Sequence, residues 1–333
     1  MSKVLCFGEI LLRFSPESDG ASLLNNSMPV YIGGAELNVA AALAKWGIPV
    51  GMASVLPNNF FSDQIKHYIN ANHIDSTAIL PFGNRIGMYY LTQGADMKNT
   101  TVVFDRAHSS FAELESGIID WNEVFKNVHW FHLSAIAASL TLNAAKVCKE
   151  ALEAAKRLGI FISFDLNYRP KLWNYGLDPE NIIPELVEYA DLIMGNLWSA
   201  DKLLGIKCSI EDTKNISHEE LIAEASICCS NIRKVFKATK LAFTFRMQNQ
   251  YFAVYESEEK FFISKTYSIN DIVDKVGSGD CFMAGLIYGN LQLNNPQNII
   301  DFATAAAVGK LYEKGDTTNQ SIQAIIKRAS CNH

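Results

Sequence analysis

The sequence predicts an α/β fold with a mostly parallel central sheet and a small antiparallel β insertion, within one domain of 333 residues. Between residues 130 and 204, strand-like apolar segments alternate with helical patterns, which is typical of a parallel sheet covered on both faces. Two strand-like runs, 88–91 and 100–104, flank a polar turn at 94–99 and predict a hairpin that interrupts this alternation. No repeat, low-complexity segment or linker divides the chain, so we expect one compact unit.

The individual elements follow from the same patterns in chain order. Strand pieces are predicted over 4–7 and 10–14, and an alanine-rich helix over 35–46 ends at Gly47. The alternating part comprises strands 130–133, 160–165 and 192–194, and helices 140–158, 182–189, 199–204 and 219–236. Strands 240–245, 251–255 and 260–267 are predicted to lie antiparallel at one sheet edge, and two more helices to begin near 279 and to span 299–312.

Composition favours a globular protein of the cytoplasm. Hydrophobic residues make up 49% of the chain, and a formal net charge of -6 without a Lys/Arg-rich run argues against nucleic acid or a membrane as the partner. The N-terminus has no signal-peptide pattern, and no run of about eighteen apolar residues occurs. Seven cysteines without a C-x-x-C pair indicate neither a disulfide framework nor a zinc knuckle.

The segment from Asp274 to Phe282 predicts an anion site. Gly277 and Gly279 precede an apolar run with helical spacing, and the free amides and dipole of such a helix start attract phosphate. Asp280 lies in the first turn, where a carboxylate would repel phosphate. It therefore suggests a base for an attacking hydroxyl, with a plain helix cap as the alternative. Neither a Walker loop nor a dinucleotide fingerprint is present.

A second glycine-led helix start, at Gly33 and Gly34, predicts a polyol site. Asn38 in its first turn can hydrogen-bond sugar hydroxyls, or can simply serve the helix terminus. Arg106 follows the hairpin and Arg169 follows a predicted strand end. Their guanidinium forks suit a carboxylate, and the alternative for each is a surface arginine.

These two motifs, Gly33-Gly34-Ala35-Glu36-Leu37-Asn38 and Asp274-x-x-Gly277-Ser278-Gly279-Asp280, resemble the signatures of the ribokinase-like (PfkB) carbohydrate kinases. Further segments, such as Phe104-Asp105-Arg106-Ala107, are most similar to 2-keto-3-deoxygluconate kinases, which transfer the ATP γ-phosphoryl group to the C6 hydroxyl of a six-carbon sugar acid. The resemblance implies a ribokinase-like three-layer sandwich over 1–333, with a lid built from about 10–32 and 86–108.

The resemblance also implies roles for individual residues. Asp280 would be the general base, and the amides of Gly277, Ser278, Gly279 and Asp280 would form the anion hole. The substrate-binding residues would be Gly33, Gly34, Asn38, Tyr89 or Tyr90, Arg106 and Arg169. The ATP-binding residues would be Asn196, Lys275, Gly277, Gly279 and Gly315, with Mg²⁺ as a cofactor. The metal ligands and a role for a monovalent cation stay open.

One departure from the family pattern concerns the Asn-x-x-Glu motif, which reads Asn196-Leu197-Trp198-Ser199 and lacks the carboxylate tied to Mg²⁺ and phosphate placement.

Two alternative functions remain open. A fructokinase or ribokinase acting on a neutral sugar is favoured if Arg106 and Arg169 point away from the pocket, and a non-catalytic sugar sensor is favoured by Ser199. The open strand edges of a lid hairpin predict a homo-oligomer formed through the lid.

Overall fold

The computed structural model describes residues 3–17, 21–92, 102–210 and 216–331. The strands in these ranges are β1 (Lys3–Phe7), β2 (Leu11–Phe14), β3 (Val30–Gly33), β4 (Val50–Leu56), β5 (Ile79–Pro81), β6 (Gly87–Tyr90), β7 (Val103–Asp105), β8 (Val128–Ser134), β9 (Phe161–Asp165), β10 (Leu192–Gly195), β11 (Lys240–Arg246), β12 (Gln250–Ser257), β13 (Lys260–Ile263) and β14 (Tyr267–Ser268). The α-helices are α1 (Ala21–Leu24), α2 (Ala35–Lys45), α3 (Phe60–Ala71), α4 (Trp121–Val124), α5 (Ala135–Ala138), α6 (Leu142–Arg157), α7 (Ile183–Val187), α8 (Leu197–Leu204), α9 (His218–Val235), α10 (Ser278–Gln292), α11 (Pro296–Lys310) and α12 (Ile322–Ser330).

The larger sheet is mostly parallel, as predicted. Its strands follow the order β13-β12-β11-β10-β9-β8-β1-β4-β5, with β14 paired to β12. All neighbours from β11 to β5 are parallel, whereas β12 pairs antiparallel with β11, β13 and β14. The carboxyl ends of β1, β8, β9, β10 and β11 therefore meet at one edge of the sheet, which is where ligands bind in such folds.

Helices cover both faces of this sheet and give three layers. One apolar core packs the sheet against α6, α7, α8 and α9, and a second packs it against α2, α3, α10 and α11. Because both faces are covered, a central strand such as β4 is buried at every residue. Helices α10 and α11 approach closely, since a Cβ on Gly285 would lie 2.6 Å from the Cα of Ala303. This contact joins the middle of α10 to the middle of α11.

A smaller sheet has the strand order β3-β2-β6-β7. Strands β2 and β3, and β6 and β7, pair antiparallel, while β2 and β6 pair parallel. The predicted hairpin is therefore present, with Met88 opposite Asp105, although its polar turn at 94–99 lies outside the described residues. Buried Tyr89 and Leu91 pack together with Val276, so the small sheet rests on the segment predicted to bind phosphate.

Most predicted elements are present with shifted ends. The helix predicted over 199–204 begins at Leu197, because Asn196 caps it, and the run 260–267 is divided into β13 and β14. Residues 48–85, for which no element was predicted, contain β4, α3 and β5. Among the helices in the described ranges, none is long and apolar enough to cross a membrane.

Candidate active site

A cavity of about 1050 Å³ opens at the carboxyl ends of the parallel strands, with the small sheet on one side. A volume of this size suits a nucleotide together with a small second ligand. The predicted site residues that line it are Gly34, Asn38, Tyr89, Arg106, Arg169, Asn196, Lys275, Gly277, Ser278, Gly279 and Asp280. Gly33, Tyr90 and Gly315 do not line it. The two glycine motifs, separated by more than two hundred residues, thus meet in one place.

Asp280 lies on the first turn of α10 and is 8% exposed. The side-chain amide of Asn38 donates to its Oδ2 at 2.7 Å, which joins the two motifs by one hydrogen bond. Burial raises the pKa of Asp280 to about 6, although the Asn38 bond and the charge of Arg169 pull it down. A carboxylate with this pKa is mostly ionised at neutral pH and is matched to general base catalysis there.

The side-chain oxygen of Asn38 is buried and, within the described part of the chain, accepts no hydrogen bond. A buried acceptor without a donor is costly, and a ligand hydroxyl would relieve that cost. Because Asn38 lines the cavity beside Asp280, one ligand hydroxyl near both groups is what this arrangement accommodates.

The turn before α10 has the geometry of an anion site. Gly277 has a φ of 79°, and a Cβ there would lie 2.0 Å from the carbonyl oxygen of Asp316, so only glycine fits. A Cβ on Gly279 would meet nothing closer than Met194 Cε at 4.0 Å, so that residue leaves open space in the cavity. The Ser278 hydroxyl donates to the carbonyl of Ala307 at 3.0 Å, so its backbone amide is the group left to a ligand.

An ion cluster that sequence reasoning missed ties the small sheet to this turn. Arg13 on β2 is 1% exposed; its Nε donates to Asp316 Oδ1 at 2.7 Å and its Nη2 to Asp274 Oδ2 at 2.9 Å. Asp274 also accepts from the backbone amides of Val276 at 3.0 Å and Gly315 at 3.2 Å. Arg13 therefore joins the small sheet both to Asp274, which precedes the glycine turn, and to Asp316, which packs against that turn.

The small sheet directs one tyrosine to the cavity and the other away, because successive strand residues face opposite sides. The Tyr89 hydroxyl donates to Asp316 Oδ2 at 3.2 Å, whereas the Tyr90 ring stacks on Phe14 with centroids 5.3 Å apart. Gly33 makes room for the same carboxylate, since its Cβ would lie 2.4 Å from Asp316 Oδ2. Asp316 is thus a cavity residue to which sequence reasoning assigned no role.

Both predicted arginines line the cavity instead of pointing away. Arg106 forms a buried ion pair with Glu9, which also accepts from the Ser109 hydroxyl, so part of its charge is already balanced. Arg169 donates to the carbonyl of Tyr168 at 2.9 Å, and its charge lowers the pKa of Asp280. At the adjoining strand end, burial raises the pKa of Asp165 to about 8 despite the opposing effect of Arg169.

At the end of β10, Asn196 caps α8. Its side-chain oxygen accepts from the Ser199 amide at 2.9 Å, and the Ser199 hydroxyl accepts from the Asn196 amide at 2.9 Å. Ser199 therefore completes a capping box at the position where the family motif has a carboxylate. Lys275 and Arg246 line the same cavity and supply positive charge. In the described ranges, no three potential metal-ligating side chains form a cluster.

Several known proteins are similar to this chain in sequence and fold. Residues 1–323 match the family model described as pfkB family carbohydrate kinase. The solved structure of a 2-dehydro-3-deoxygluconokinase from Thermotoga maritima has a TM-score of 0.89 and 33% sequence identity, and the match covers 99% of this chain and 100% of that one.

Two curated proteins are more distant. A 2-dehydro-3-deoxygalactonokinase from Haloferax volcanii is 27% identical over 175 residues, which are 52% of this chain and 54% of that protein, so the match spans about half of its length. A 5-dehydro-2-deoxygluconokinase from Clostridium botulinum is 24% identical over 310 residues, covering 92% of this chain and 86% of that protein.

Proposed function

The chain belongs to the pfkB family of carbohydrate kinases, and on that basis we propose that it transfers the γ-phosphoryl group of ATP to the C6 hydroxyl of 2-keto-3-deoxygluconate, the compound also called 2-dehydro-3-deoxygluconate. The observation that carries this proposal is the 2.7 Å hydrogen bond between Asn38 and Asp280 beside the glycine turn. It brings a hydroxyl-binding group, a base and an anion hole together within one cavity.

The proposed reaction uses each of these groups once. Asp280 accepts the proton of the C6 hydroxyl, whose oxygen forms a bond to the γ-phosphorus while the bond to the ADP oxygen breaks. The backbone amides of Gly277, Ser278 and Gly279 stabilise the charge of the transferring group. Asn38 accepts from a sugar hydroxyl through its buried oxygen and so orients the acceptor. Asp280 then returns its proton to solvent.

An acidic substrate is favoured over a neutral one by the two arginines that line the cavity. A sugar carboxylate can accept charge-assisted hydrogen bonds from Arg169, and from the part of the Arg106 fork that Glu9 does not use. A fructokinase or ribokinase substrate has no carboxylate, so neither arginine could form an ion pair or a two-pronged bond with it. The solved relative of 33% identity is also named as a kinase of a keto-deoxy sugar acid.

ATP with Mg²⁺ is the phosphoryl donor that the family implies. When bound, the ion neutralises charge on the β- and γ-phosphates. Among the described residues, no three metal-ligating side chains form a cluster. Mg²⁺ bound to a nucleotide takes most of its ligands from phosphates and waters, so these residues fit an ion that is carried by the nucleotide. We assign Asn196, Lys275 and Gly279 to the phosphate end of the nucleotide. Gly315 would act there indirectly, through the hydrogen bond that its backbone amide donates to Asp274.

The small sheet is the proposed lid, from about 10–32 and 86–108. Its residues Tyr89 and Phe104 line the cavity, where a closing cover would exclude water from phosphoryl transfer. We further propose that two chains pair through these sheets in the cytoplasm, since Val103 and Val30 are 57% and 49% exposed.

A non-catalytic sensor is disfavoured, because a carboxylate at an anion hole would only weaken nucleotide binding.

The experiment is an ADP-release assay with ATP, Mg²⁺ and a panel of acceptors: 2-keto-3-deoxygluconate, 2-keto-3-deoxygalactonate, gluconate, fructose and ribose. We expect turnover with a keto-deoxy acid and much less with the neutral sugars. Release with fructose but with neither keto-deoxy acid would contradict the substrate assignment, and no acceptor-dependent release at all would contradict the kinase assignment.

A further inference from the structure

A buried lysine lies behind the glycine turn and has no part in the chemistry described above. Lys310, the last residue of α11, is 0% exposed, and its Nζ donates to the carbonyl oxygen of Glu313 at 3.0 Å. A Cβ built on Gly277 would lie 3.3 Å from Lys310 Cε, so the lysine side chain packs directly against the turn. Lys310 does not line the cavity, so its contact with the turn lies outside the cavity lining.

Taking an ammonium group out of water is costly unless opposite charge lies near it. The carboxylates of Asp274, Asp316 and Glu313 all act electrostatically on Lys310, as does the thiol of Cys281. Asp274 and Asp316 are also the partners of Arg13. Burial lowers the pKa of Lys310, and Asp274 is the strongest of the nearby groups that raise it.

The effect of this charge extends to the proposed base. The charge of Lys310 is among the influences that lower the pKa of Asp280, next to the Asn38 bond and Arg169. Backbone on the same side is equally constrained, because the carbonyl oxygen of Asp316 would lie only 2.0 Å from a Gly277 Cβ. The turn is therefore held between the cavity and a wall made of Lys310 and the backbone of Asp316.

We propose that Lys310 is a positioning residue for phosphoryl transfer: its ammonium supports the Gly277 turn from behind and adds a fixed positive charge to the anion hole. This proposal rests on the proposed kinase function. It differs from a purely structural role in one measurable respect. Removing one member of a buried charge cluster is itself destabilising, so the distinguishing result is a loss of kcat that persists in fully folded protein, well below the unfolding midpoint.

The test compares Lys310→Met with wild type, and uses Lys327→Met, an exposed lysine on α12, as the matched control. Turnover number, KM for each substrate and the thermal unfolding midpoint are measured for all three. A direct anion-hole donor contributes about 10²–10³ in kcat, and Lys310 acts only through the turn, so we expect Lys310→Met to lower kcat by a smaller factor, roughly tenfold. The KM for the sugar acid should stay within about twofold of wild type, whereas the unfolding midpoint should fall, because the buried carboxylates around Lys310 lose a compensating charge.

Lys310→Ala with added methylammonium gives a second readout. The free cation should restore part of the lost kcat in Lys310→Ala, but none in Asp280→Asn, where the base itself is missing. Lys310→Gln keeps a donor for the Glu313 carbonyl without the charge, and it should remain as slow as Lys310→Met.

Several outcomes would overturn the proposal. A wild-type kcat in both Lys310→Met and Lys310→Gln would show that the charge is not needed. Failure of both variants to fold, or a loss of kcat that only follows the loss of folded protein, would assign the residue a structural role. If no acceptor raises ADP release by wild type above the acceptor-free rate, the kinase assignment fails separately, and Lys310 is then tested on the rate of ATP hydrolysis to water.

Discussion

Replacing Asn38 by leucine should move the pH dependence of the reaction to higher pH. The Asn38 side-chain amide donates to Asp280 at 2.7 Å and favours the ionised form of that carboxyl. Burial raises the pKa of Asp280 to about 6 while this bond opposes the rise. Without the bond the pKa rises further, so the base is protonated up to a higher pH and the acid limb of kcat/KM moves upward.

The size of the shift follows from the geometry. A hydrogen bond to a charged group contributes about 1.5–3 kcal/mol, and one pKa unit corresponds to about 1.4 kcal/mol. The acid limb should therefore move by about 1–2 units, from near 6 to roughly 7–8.

The assay is kcat/KM for the best acceptor at saturating Mg-ATP across the pH range, since this ratio reports the free enzyme. Asn249→Leu makes the same change at another cavity residue and should leave the limb in place. A limb that stays in place in Asn38→Leu would refute the assignment. The titrating group would then be another buried carboxyl of the cavity, Glu36 with a pKa of about 7 or Asp165 with a pKa of about 8.

Three further predictions concern the same cavity. Asp280→Asn should lower kcat by about 10²–10⁴. The same substitution should also raise the free energy of unfolding by about 3 kcal/mol above about pH 6, because the pKa of the Asp280 carboxyl is higher in the folded than in the unfolded protein. Denaturant titrations should show that this gain vanishes below about pH 4, where the carboxyl is protonated in both states. Arg169→Ala should raise the KM for an acidic sugar roughly 10- to 150-fold with the KM for ATP unchanged, and equal KM values would show that it does not bind the acid. Gly277→Ala should lower the melting temperature, because its Cβ would clash with the carbonyl of Asp316, whereas Gly279→Ala should fold normally and lose kcat. A stable Gly277→Ala variant, or a Gly279→Ala variant that fails to fold, would contradict the assigned geometry of the turn.

The sequence predicted the parts of the molecule that depend on local patterns. The alternation of strands and helices, the antiparallel edge strands and the hairpin all follow from short-range periodicity, and the structure contains them. The two glycine turns could be recognised for the same reason, because the residue types at a helix start are set by its own backbone.

The rest depended on contacts between distant parts of the chain. Arg13 is buried against Asp274 and Asp316, which lie 261 and 303 residues away along the chain. No local sequence pattern signals a pairing over such distances. Lys310 at a helix C-terminus is typical of an exposed residue that favours the helix dipole, yet the following loop and α10 enclose it. Which of Tyr89 and Tyr90 faces the cavity depended on the side of β6 that packs inward, which periodicity alone leaves open.

Ser199 shows how a departure from a motif changes meaning in three dimensions. In the sequence, Ser199 stands where the family motif has a glutamate, so the carboxylate of the motif is missing. In the structure its hydroxyl accepts from the Asn196 amide at 2.9 Å and completes the helix cap, so the local conformation is kept without a charge. We therefore expect the fold of this segment to tolerate the substitution.

The most direct test of the central claim is identification of the product by ³¹P NMR after incubation with ATP, Mg²⁺ and 2-keto-3-deoxygluconate. The account predicts a new phosphomonoester signal coupled to the two C6 protons in wild type, and almost none in Asp280→Asn over the same time. A phosphomonoester at another position, no acceptor-derived signal in wild type, or an equal signal in Asp280→Asn would contradict it.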